Sequence, residues 1–156
     1  MRFYPAAALA LAAASSLDAQ TAPAPPAIDY SVATPMDGMW QYSTLPAGSE
    51  ARFVNSSGQT QITLRCVRSA RSVTLFKPSS AAAPFISVWT SAQTRNLAAS
   101  FDPATAQLRA SLAAWDPLLD AITFSRGRVE FSVSGQPALV VPSWAEAARV
   151  VEDCRV

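Results

Sequence analysis

Short stretches in which apolar and polar residues alternate one by one recur from Trp40 onward, and they commit the chain to an antiparallel β fold. "QITLRC" sets Ile62, Leu64 and Cys66 against Gln61, Thr63 and Arg65. Successive strand side chains point to opposite faces, so each triplet marks one side of a sheet. "RSVTLF" repeats the pattern with Val73 and Leu75, and "AQLRASL" sets Leu108, Ala110 and Leu112 against Arg109 and Ser111. "RVEFSV" opposes Val129, Phe131 and Val133 to Glu130 and Ser132, whereas "PFISVWT" is apolar on both faces and suits a central strand. Turn chemistry separates them at Ser57-Gly58, Asp102-Pro103 and Gly135-Gln136-Pro137. These stretches predict an all-β antiparallel sandwich or small barrel of about eight strands with two short helices, the second C-terminal. No internal repeat is present.

The first helix is expected in "WDPLLDAITFSRG", with Asp116 as N-cap, Pro117 at the first helical position, Arg126 in the last turn and Gly127 as the stop. Leu118, Leu119 and Ile122 form its apolar side. "SWAEAARVVEDC" predicts the second, capped by Ser143 with Glu146 completing a capping box. Trp144, Ala147, Val151 and Cys154 fall on one helical stripe, with Arg149 and Asp153 paired on the opposite side. Both cysteines therefore sit on core-facing sides, and a Cys66–Cys154 disulfide is the expected arrangement.

That expectation fits the N-terminus. Arg2, the uncharged apolar run Ala6–Ala14 and small residues leading to Leu17-Asp18-Ala19 have the form of a signal peptide over residues 1–19. The run is too short to span a bilayer. Residues 20–36, rich in Pro and Ala, read as a flexible leader, and 37–156 as a single β-rich domain in the periplasm or secreted. No membrane span is expected after signal cleavage. With 50% hydrophobic residues the chain builds a real core, and a net charge of +1 offers no long-range pull toward nucleic acid.

The chain has no histidine, which removes the commonest general base and metal ligand. Lys77, the only lysine, has no Ser placed as a nucleophile beside it and reads as a solvated strand end. Asp116 and Asp120 are explained as a cap and a first-turn acid. The five glycines form no phosphate-cradling loop. No catalytic residue, cofactor or metal site is expected. Arginine is the uneven feature, with Arg65, Arg68 and Arg71 crowded into "RCVRSARS" as candidate contacts to an anionic partner. The four tryptophans, Trp40, Trp89, Trp115 and Trp144, read mainly as core.

The order from "DPLLDAITFSRGRVEFSV" to "ALVVPSWAEAARVVEDCR" runs helix, Gly turn, strand, strand ended by Pro, and terminal helix. Over Asp116–Arg155 this resembles the invasion-associated locus B family of alphaproteobacterial envelope proteins. The terminal helix departs from that family's usual sequence, and its earlier sandwich cysteines are missing. The resemblance implies a periplasmic or secreted β-sandwich without enzymatic activity. A non-catalytic envelope binding module with a protein or glycan partner is the expectation, and a secreted inhibitor of a cell-wall hydrolase or protease the alternative.

Overall fold

A computed structural model describes residues 29–156, and the signal-peptide reading of residues 1–19 lies outside them. Ten strands form two antiparallel sheets, stacked as a sandwich and not closed into a barrel. The larger sheet contains β1 (Gly38–Leu45), β2 (Gly48–Asn55), β3 (Thr60–Val67), β4 (Ser72–Pro78), β7 (Ser100–Asp102) and β8 (Gln107–Ala113), in the order β1-β2-β3-β4-β8-β7. The smaller contains β5 (Phe85–Trp89), β6 (Thr94–Ala98), β9 (Val129–Ser132) and β10 (Leu139–Val141), in the order β10-β9-β5-β6. The chain crosses between sheets at Ala99, whose N–H donates to the Pro84 carbonyl at 2.9 Å.

Alternation sorts the faces as read. Ile62, Leu64, Cys66, Val73, Leu75, Leu108, Ala110 and Leu112 are buried on the inner face of the large sheet. Val129, Phe131 and Val133 meet them from the other side, with β5 in the interior of its sheet. Each large side chain withdrawn from water contributes roughly 1.5–3 kcal/mol. The small sheet packs through β5 and β6 against β8, and the Trp40 Nε1–H in β1 donates at 2.8 Å to the carbonyl of Pro142, just past β10. The inner face of β1, β2 and β3 is covered by the terminal helix α2 (Ala145–Asp153), which also touches α1 (Pro117–Thr123). Cys66 in β3 and Cys154 at the end of α2 form the disulfide, 88 residues apart. Gly48 is required beside it, because a Cβ there would run into the Cys66 carbonyl oxygen.

Several local readings are corrected. Asp116 does cap α1, accepting from the Leu118 N–H at 2.8 Å, but the helix ends at Thr123, short of Gly127. Ser143 does not cap α2: its hydroxyl lies 3.0 Å from the Ile122 and Thr123 carbonyls, satisfying the end of α1 instead. The N-cap of α2 is Trp144, whose extended backbone carries its side chain off the helical stripe to 44% exposure. Trp115 is likewise outside, with the Arg155 guanidinium over its ring at 4.9 Å. Arg149 lies over the Tyr42 ring, and Asp153 accepts from the Tyr42 hydroxyl at 2.6 Å, so both partners of the expected i,i+4 pair serve β1.

Residues 29–36, read as part of a flexible leader, lie against the domain. The Met36 N–H donates to the Val140 carbonyl at 2.8 Å, Arg128 donates to the Ala33 carbonyl, and the Tyr30 ring packs on Trp89 with centroids 6.1 Å apart.

Cross-linking across a loop of this length removes up to about 4.6 kcal/mol of unfolded-state entropy in the chain-entropy description. Replacing Cys66 and Cys154 together by Ala is expected to lower the unfolding free energy by roughly 3–4 kcal/mol. Urea denaturation measures the loss, and hydrogen exchange should show α2 opening before β5 and β9.

Candidate functional site

On the outer face of the large sheet the alternating polar residues line up across strands. Register places Ser43, Glu50, Arg65, Thr74 and Ser111 in one row. Gln41, Arg52, Thr63, Phe76, Arg109 and Ser100 form the next. Glu50 Oε2 accepts from Arg65 Nε at 3.0 Å and Nη2 at 2.8 Å, while Arg52 Nε stands 3.5 Å from Oε1. The two arginine stems roof the Glu50 carboxylate, leaving its side chain only 8% exposed. Phe76, an aromatic on a polar face, stands between two guanidinium groups, with Arg65 Cζ 5.0 Å and Arg109 Cζ 5.7 Å from its centroid. Both lie within the range where the ring quadrupole attracts a cation, worth about 0.5–1 kcal/mol each at an exposed site. Arg109 is in turn paired with Asp102.

The result is a continuous chain, Glu50–Arg65–Phe76–Arg109–Asp102, running over β2, β3, β4, β8 and β7. At the usual spacing of neighbouring strands it extends roughly 19 Å. Beside it a cleft of about 530 Å³ opens, lined by Thr74, Phe76, Arg109 and Ser111 on one side and Ala98, Ala99 and Ser100 on the other. The sheet crossover at Ala99 builds the second wall, so the cleft exists because one strand run changes sheets.

Of the three arginines singled out from sequence, only Arg65 belongs to this face. Arg68 sits in the 3₁₀ turn Arg68–Ala70 and directs Nε to the Asp153 carbonyl at 3.4 Å, at the end of α2. Arg71 closes that turn in the left-handed region, φ 45°, and is exposed. The hairpin therefore does not gather the three guanidinium groups into one site. Sequence reading placed Arg109 outward but gave it no partner. The available signal was Phe76, an apolar ring at an outward position of "RSVTLF".

Two charged groups expected in solvent are buried. Lys77 shares the inner side of β4 with Val73 and Leu75 and is 7% exposed. Burial pulls its ammonium below the usual lysine range, with Glu130 opposing. Glu130 is 1% exposed on the side of β9 that carries Trp89 of β5, beneath Tyr30. Burial pushes its carboxyl above the usual range, against the Ser132 and Tyr30 hydroxyls and the Lys77 charge, and Oε1 has no hydrogen-bond partner. A second opening of about 460 Å³ lies near Ser79, whose hydroxyl accepts from Gln136 Nε2 at 2.6 Å and donates to the Ala81 carbonyl. Among the described residues no three of His, Cys, Asp and Glu come together as a metal site, and no helix is long and apolar enough to cross a membrane.

The chain matches no family model, no curated protein and no solved structure. None of these comparisons supports the resemblance of Asp116–Arg155 to the invasion-associated locus B proteins.

Two outcomes follow from these placements. Arg71→Gly should stabilise the domain by about 1 kcal/mol in thermal or urea unfolding, because glycine removes the left-handed penalty. For Glu130, a folded-state pKa above the unfolded 4.5 means that stability is fullest below that value and falls as the pH rises through it toward the folded value. Glu130→Gln should abolish that fall, so the variant's stability relative to the native chain should rise as the pH is raised above 4.5 in denaturation series.

Proposed function

We propose that this chain is an extracytoplasmic, non-catalytic binding module that recognises a protein or glycan of the cell envelope. Its contact surface is the outer face of the six-stranded sheet, centred on Phe76 and Arg109. The disulfide and the signal-like N-terminus support placement in the periplasm or outside the cell, as does the resemblance of Asp116–Arg155 to envelope proteins. The observation that carries the reading is the Arg65–Phe76–Arg109 stack bordering an open cleft. A purely solvating face has no need of an aromatic ring held between two cations, whereas aromatic and arginine side chains are the residues that dominate recognition surfaces. The buried Glu50 carboxylate holds the Arg65 guanidinium in place, so little of that side chain's freedom is lost when a partner arrives.

The oxidised protein, used as bait in an envelope extract, tests this. A triple substitution Arg65→Ala, Phe76→Ala and Arg109→Ala should lose a partner that an Arg68→Ala, Arg71→Ala variant keeps, with both variants checked for folding by near-UV circular dichroism. Retention by the triple variant would remove the sheet face as the contact surface. Loss in the hairpin variant alone would return the site to "RCVRSARS".

A further inference from the structure

The cleft beside Phe76 also has a chemistry of its own, and it narrows what fits. Its floor is made of hydroxyls: Thr74 and Ser111 are direct cross-strand partners and share one 2.8 Å hydrogen bond. That bond uses one of the two hydroxyl protons, so the pair presents one further O–H donor and spare lone pairs to the cleft. Ser100 adds a third hydroxyl, opposite Arg109 in register. Ala98, Ala99 and the Phe76 ring supply short apolar walls.

Arg109 supplies the charge. Its Nη2 reaches Asp102, and among the described residues the guanidinium makes no other hydrogen bond. Side-chain exposures of 43% for Arg109 and 24% for Asp102 make this a solvent-screened pair that contributes little. A ligand carboxylate can therefore add to the unused edge of the fork at small cost. On this face Arg52, Arg65 and Arg109 are set against Glu50 and Asp102, a surplus of one positive charge that a monoanion neutralises.

We infer that the cleft binds a carboxylate-bearing saccharide, its acid group on Arg109 and its ring hydroxyls on Thr74, Ser111 and Ser100. This rests on the sheet face being the recognition surface and names the ligand class it takes. An apolar protein surface laid over the cleft would strip water from the Ser100 hydroxyl and from the remaining O–H of the Thr74–Ser111 pair without giving either a partner. A sugar ring offers donors and acceptors together with C–H groups for the Ala98, Ala99 and Phe76 walls.

The test is titration of the ¹⁵N-labelled oxidised protein, followed by NMR, with galacturonate and with N-acetylmuramate. Saturable shifts of the Arg109 side-chain Nε–H and of the Thr74, Ser100 and Ser111 amides are expected for at least one of them. Reducing the sugar's carboxyl to an alcohol, or substituting Arg109→Lys, should weaken binding about tenfold, the loss of one charge-assisted hydrogen bond. Ser111→Ala should weaken it severalfold, and Arg52→Ala little. Equal binding of acid and reduced sugar, or an unaffected Arg109→Lys variant, overturns the carboxylate role. Tighter binding of tetraglutamate than of either sugar assigns the cleft to acidic peptide and overturns the saccharide class. Absence of shifts with every probe overturns the inference. If the Arg65, Phe76, Arg109 triple variant still loses its envelope partner in that case, the ligand class alone has failed; if it keeps the partner, the recognition face has failed with it.

Discussion

The inner side of the large sheet depends on cover that a four-stranded partner sheet alone does not give. Six strands face four, so part of the apolar inner face of the large sheet would meet water if sheet packing were the only cover. Helix α2 supplies the missing layer with Ala147, Val150 and Val151. It has nine residues, too few to be stable alone in water, and it lacks a side-chain cap. The bond from Cys154 to Cys66 holds it, helped by Tyr42 on Asp153 and Arg68 on the Asp153 carbonyl. A helix too weak to form by itself thus becomes a fixed part of the core.

The same alternation that fills the interior generates the outer face. Once Val73 and Leu75 point inward, Thr74 and Phe76 must point outward, and the β4–β8 register brings Arg109 and Ser111 opposite them. Charge then orders itself by neighbour: Glu50 and Asp102 sit at the two ends, the guanidinium groups inside them, and the ring in the middle. No single strand carries this arrangement; five strands contribute one group each.

What was legible in the sequence was local. Ile62, Leu64 and Cys66 lie where period-two patterning puts them, Asp116 caps α1, and the disulfide joins the only two cysteines. Pairing across distance was not legible. Phe76 meets Arg109 through a register between strands far apart in sequence, and Ser143 serves the end of α1 instead of its own helix because the fold brings Ile122 to it. Lys77 is instructive: alternation with Val73 and Leu75 already placed it inside, and its charge argued it outward. Burial decided otherwise. Glu130 reversed for a different reason, since its strand position faces outward and the Asp29–Met36 arm, with Tyr30 on Trp89, lies on that side.

The disulfide also imposes an order in time. Cys154 leaves the ribosome 88 residues after Cys66. At typical synthesis rates of about 5–20 residues per second that interval is about 4 to 18 s. Through it the β3 thiol has no native partner in the chain already made. Hairpins β1–β2 and β3–β4 have all their residues by then and can pair, since neighbouring strands need only local contacts. The covalent lock therefore closes over a sheet that has had time to find its register.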